Sequence, residues 1–137
     1  MTDLTEFEAP TTLGDYLKRR REFCRISIGE VAHLMAGLAS SPQLARGFAE
    51  QIEQLETSGQ CRVNLASLLH GLRIAFRFDP AIALQFAQRD PDNPDLPMPA
   101  ICRVCACSWA DPCTDRSGSP CGWATADLCT SCAEQRS

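Results

Sequence analysis

From residue 11 to residue 89, apolar residues recur at helical spacing, and each run begins on a residue suited to start a helix. Leu13, Tyr16, Leu17 and Phe23 share one face after Thr12, with Asp15 three positions beyond the threonine as in a capping box. Ser27 and Glu30 make a second such pair, ahead of Ile28, Val31, Ala32 and Met35. Ser41-Pro42 then joins an N-cap hydroxyl to the residue best suited to the first helical position. Leu44, Phe48, Ile52 and Leu55 follow, and Gly59 closes the run. Asn64 caps a stripe of Leu65, Leu68, Leu69 and Leu72, and Asp79-Pro80 starts a shorter helix with Ile82, Ala83 and Phe86. Five helices joined by short turns predict a compact all-α domain over 11–89.

Polar positions divide the rest. Residues 1–10 carry three acids and no base, an acidic lead unlike a targeting segment. In 90–100, four prolines alternate with three aspartates, and a backbone without donors continues neither helix nor sheet, so this stretch is expected as a semi-rigid linker. Residues 101–137 form a cysteine-rich tail. The whole chain is −4, yet 11–89 alone is +3; Lys18, Arg19, Arg20 and Arg21 crowd the outer side of the first helix, but four consecutive residues cannot all point one way, and some are expected near the next helix. A mildly basic helical domain permits nucleic-acid binding, and a solvated face paired with Asp15 or Glu22 accounts for the same charges. No run reaches the apolar length of a bilayer span, so a cytoplasmic protein without membrane contact is expected.

The strings Leu13-Gly14-Asp15-Tyr16-Leu17-Lys18-Arg19-Arg20-Arg21, Ile26-Ser27-Ile28-Gly29-Glu30-Val31-Ala32 and Gln51-Ile52-Glu53-Gln54-Leu55-Glu56, with the leucine-rich fourth helix, resemble the Cro/cI-type (XRE) helix-turn-helix family. The resemblance covers about 11–89 and implies a five-helix, lambda-repressor-like fold whose third helix enters the DNA major groove, often in a dimer. The interval from Ala32 to Glu56 is longer than the family's, with the extra residues in 36–50, so the turn or third helix is extended. Ile28 stands where the family often has glutamine. The expected DNA contacts are Ser27, Ser41, Gln43 and Arg46 near helix starts, with Lys18, Arg19 and Arg21 for phosphate.

Seven of the nine cysteines lie between Cys102 and Cys132. A segment this short needs a staple. Disulfides suit neither a reducing compartment nor an odd number of thiols. Cys102-x2-Cys105 and Cys129-x2-Cys132 offer the two turns of a closed tetrahedral zinc site. An iron–sulfur cluster drawn from Cys105, Cys107, Cys113 and Cys121 is the alternative. Cys107, Cys113 and Cys121 remain open: small buried side chains, ligands of a second ion sharing a thiolate, or redox-responsive groups. Trp109 and Trp123 are expected to cover the small core, and Cys24 and Cys61 to be packed thiols. The tail is similar to a short cysteine-rich module at the ends of phage and prophage proteins.

No Ser/His/Asp set, companioned carboxylate pair or glycine-rich phosphate loop is present, so no enzyme activity is expected. These readings lead to a bacterial or phage transcriptional regulator, expected to act as a dimer in the family's manner on double-stranded operator DNA, with a metal-stabilised tail for dimer or protein-partner contacts. An adaptor that kept the fold and lost DNA readout, motivated by Ile28, Glu50, Glu53 and a pI near 5.1, is the second reading, and a redox- or metal-sensing regulator is the third.

Overall fold

The structure, a computed structural model, describes residues 9–37, 42–58, 64–89, 99–114 and 118–135. The described residues are mostly helical, with one small two-stranded sheet. They divide into two compact units, Thr12–Phe78 and a second that runs from Asp79 onward and includes the described residues ahead of Thr12.

The first unit holds α1 (Leu13–Phe23), α2 (Ile28–Ala36), α3 (Pro42–Ser58) and α4 (Leu65–Ala75). Local side chains start three of them. The Thr12 hydroxyl accepts from the Asp15 amide at 3.1 Å, and the Asn64 side chain accepts from the Ser67 amide at 3.3 Å. At α2 both halves of the capping box form: the Glu30 amide donates to Ser27 Oγ at 3.1 Å, and the Ser27 amide donates to Glu30 Oε1 at 3.2 Å. Ser41 and Gly59, read as the ends of the third helix, lie outside the described residues. That helix is 17 residues long and fills much of the interval from Ala32 to Glu56.

Tyr16, Leu17, Val31, Ala32, Ile52, Leu55, Leu68, Leu69 and Leu72 make the core of this unit. Helix α2 packs against α3 and α4, and α1 packs against α3. Gly14 sets the α1–α3 approach: a Cβ there would run into the Leu55 carbonyl oxygen and come within 3.2 Å of the Glu56 Cα. Only hydrogen fits, so this glycine is required by proximity and not by backbone conformation.

One part of the sequence pattern is corrected here. Phe23 and Leu44, expected on buried stripes, are exposed, whereas Ile52, Leu55, Tyr16 and Leu17 of the same helices are covered. Four consecutive basic residues on one helix cannot share a direction, and here they part. Arg20 is buried, with Nε donating to the Arg77 carbonyl at 3.2 Å and the guanidinium 5.6 Å from the Phe23 ring centroid. Helix α1 ends in a Schellman arrangement in which Ile26 N–H reaches Arg21 O (3.3 Å) and Arg25 N–H reaches Glu22 O (3.0 Å). Arg25 occupies the left-handed position, φ 58°, usually given to glycine.

The second unit begins with α5 (Pro80–Gln88), capped by Asp79, whose Oδ1 accepts from the Ala81 amide at 2.9 Å. Asp79 is buried, and its Oδ2 accepts from Ser108 Oγ at 2.6 Å, so the helix start is tied to the cysteine-rich end of the chain. Residues 90–98, most of the expected linker, lie outside the described residues. The remainder is β1 (Trp123–Thr125) paired antiparallel with β2 (Leu128–Cys129), followed directly by α6 (Thr130–Gln135). The all-α expectation did not include this hairpin.

Candidate metal centre

Six thiols, Cys102, Cys105, Cys107, Cys113, Cys129 and Cys132, are buried together with Leu128, while Val104, Cys121, Trp123 and Ala133 pack around them. The chain brings them in from three directions. Cys102 and Cys105 lie on a turn closed by Ala106 N–H to Cys102 O (2.8 Å) and Cys102 N–H to Cys107 O (3.0 Å). Ala106 takes φ 61° there, which turns the backbone so that Cys107 follows Cys105 into the same core. Cys113 comes from the loop held by Cys121 N–H to Cys113 O at 2.8 Å. Cys129 ends β2 and Cys132 lies one helical turn later in α6, so both face the core. The hairpin is pinned to the first turn by Arg103: its amide donates to Asp127 O at 2.8 Å and its guanidinium pairs with Asp127 Oδ1 at 2.7 Å.

Two sets of four sulfurs result. Cys102, Cys105, Cys129 and Cys132 form one, and Cys105, Cys107, Cys113 and Cys129 the other; within each set every Sγ lies within 4.8 Å of the others. Each set could hold a metal ion, since buried, converging thiols are the donors of closed structural sites. Among the sulfur contacts are Cys113–Cys129 at 3.6 Å, Cys107–Cys121 at 3.7 Å and Cys105–Cys129 at 3.9 Å. Backbone amides also point at sulfur: Cys107 N–H at Cys105 Sγ (3.4 Å) and Cys132 N–H at Cys129 Sγ (3.5 Å).

Crowding has an electrostatic consequence. Cys105, Cys107 and Cys132 are pushed far above the ordinary thiol range, Cys102 being the first cause in each case, and burial pushes Cys121 up to about 11. Cys102 and Cys113 are held low because neighbouring thiols, Cys105 first, donate to them. Like charges this close cannot all ionise, and a cation is what allows them to.

The tryptophans separate. Trp123 packs against the thiol core, whereas Trp109 is 84% exposed and is not the cover it was expected to be. Cys24 is exposed rather than packed, and Cys61 lies outside the described residues. Spacing drew attention to the two Cys-x2-Cys turns; the clue to Cys107 was the single residue that separates it from Cys105, which keeps it on the same turn.

The residues read as DNA contacts all belong to the first unit. Lys18, Ser27, Gln43 and Arg46 are exposed, Arg19 is half-buried and Ser41 lies outside the described residues. Arg21 makes a fork to Glu56, with Nε to Oε2 and Nη2 to Oε1 both at 2.8 Å, while Nη1 donates to the Ile26 carbonyl at 3.0 Å. That guanidinium joins α1 to α3. No protein-family model matches the chain, and comparisons with curated proteins and with solved structures likewise give no match.

Proposed function

We propose that the chain is a DNA-binding transcriptional regulator of the helix-turn-helix kind, of bacterial or phage type and acting as a dimer, with a zinc-stabilised C-terminal module. The observation that carries this reading is the division of α3. Its C-terminal half is anchored in the core through Ile52 and Leu55, and its first turns leave Gln43 and Arg46 exposed. A recognition helix works in this way, held by the scaffold at one end and offering the side chains of its N-terminal turns to base edges. Lys18, exposed on α1, is the basic group for phosphate, and the Ser27 hydroxyl at the start of α2 can donate to a second. Zinc fits the tail because a closed site of four thiolates needs sulfurs within one ion's reach. An iron–sulfur core places sulfide among its irons and spreads its cysteines more widely.

The test is a mobility-shift series over salt on DNA upstream of the protein's own gene, followed by selection of bound sequences from random DNA. Affinity should fall steeply with ionic strength, Lys18→Ala should weaken binding to all sequences, and Gln43→Ala should relax the preference at one position. No shift even at low salt would reject the reading. The adaptor reading would then stand on Leu34 and Leu44, 48% and 47% exposed on the same helix pair, beside the outward acids Glu50 and Glu53.

A further inference from the structure

We propose that the cysteine core binds two divalent ions bridged by the thiolates of Cys105 and Cys129. Cys102 and Cys132 complete the first tetrahedron, and Cys107 and Cys113 the second. The inference rests on the reading of the tail as a metal module and goes further, to the number of ions and the ligands they share.

Sulfur supply is the first argument. Two independent four-thiolate sites need eight sulfurs, and the tail has seven cysteines. The two buried sets are not independent, because Cys105 and Cys129 belong to both. With those two shared, six sulfurs serve two ions, and the six required are the six that are buried together.

Geometry agrees. Tetrahedral coordination with metal–sulfur bonds of about 2.3 Å places thiolates about 3.8 Å apart. The shared edge Cys105–Cys129 measures 3.9 Å and the Cys113–Cys129 edge 3.6 Å. Each shared atom receives an amide, one from Cys107 N–H to Cys105 and one from Cys132 N–H to Cys129. Outer donors of this kind fix the orientation of the atoms that must serve both ions.

Charge is the third argument. One ion among four thiolates leaves a net −2 in the core. A second divalent ion, held by Cys107 and Cys113 as thiolates, adds two positive charges and two negative ones. Filling the second site therefore buries no further net charge, whereas a single ion would leave two unligated thiols against a charged cluster. Cys121, half-buried and 3.7 Å from Cys107, belongs to neither set and stays a thiol.

The experiment uses the full chain, stripped of metal under reducing conditions, reloaded with excess zinc, desalted and weighed by native mass spectrometry. Two zinc ions per chain are expected for the unmodified chain and for Cys121→Ser, and one for the Cys113→Ser/Cys121→Ser double variant, in which Cys121 cannot take over. Reloading the unmodified chain with cadmium-113 should give two resonances split by coupling through the shared sulfurs, a readout independent of whether a variant folds. One ion per chain with excess metal, two uncoupled resonances, or loss of an ion in Cys121→Ser would overturn the bridged pair while leaving a metal module. Failure to bind any metal would overturn both.

Discussion

Replacing Arg21 by methionine removes the fork to Glu56 and the donor to the Ile26 carbonyl while keeping most of the side chain's length. The side chains of Arg21 and Glu56 are only 11% and 5% exposed, so the stranded carboxylate has little water to turn to. Removing one member of a buried ion pair costs about 3–5 kcal/mol. This pair keeps slight contact with solvent, which places Arg21→Met at about 3 kcal/mol, including about 1 kcal/mol for the unpaired Ile26 carbonyl. Glu56→Leu, which strands the guanidinium, should cost a similar amount. The double variant should cost only about 2 kcal/mol, because two apolar side chains in place of a buried pair are often nearly neutral, giving a coupling energy of about 4 kcal/mol. Urea unfolding of the metal-loaded chain, followed by helical circular dichroism, reads this as a midpoint drop of about 1–2 M for each single change. Additive single losses, or a cost under about 1 kcal/mol for Arg21→Met, would refute the claim that Arg21 clamps α1 to α3. The same variants bear on DNA: a refolded Arg21→Met chain should keep the salt slope of the unmodified protein, whereas Lys18→Ala should reduce it by about one.

Three further outcomes are expected. Gly14→Ala should destabilise the helical unit by about 1–3 kcal/mol, since the atom in the way is a carbonyl oxygen of α3 and cannot swing aside; an unchanged thermal midpoint would show that α1 can shift. Arg25→Gly should stabilise by about 1 kcal/mol because it relieves a non-glycine left-handed residue at the end of α1, and a lowered melting temperature would contradict this. Metal affinity should rise with pH. The loaded core carries fewer protons than the free one, whose Cys105, Cys107 and Cys132 are raised, so each proton released makes binding about tenfold weaker per unit of pH lost. Chelator competition at two pH values measures this, and a flat profile would mean that the thiols are not the ligands.

What could be read from the chain alone was whatever depends on neighbours in sequence. Thr12, Ser27, Asn64 and Asp79 each cap a helix within three residues of themselves, so their residue types announce the helix starts without reference to the rest of the molecule. The two Cys-x2-Cys turns are local in the same sense. Burial is different, because it depends on which surface arrives from elsewhere. Helical spacing could place Phe23 and Leu44 on apolar stripes, but only the extent of the packed partners decides where a stripe stops being covered. Helical geometry says that the run Lys18–Arg21 cannot all point one way, but only Glu56 and the Arg77 carbonyl, 35 and 57 residues away in the chain, decide that Arg21 and Arg20 are the ones taken. The same holds at the thiol core. Spacing gives pairs of cysteines, whereas the sharing of Cys105 and Cys129 between two sets exists only once a hairpin has carried a sulfur across 24 residues of chain to within 3.9 Å of its partner.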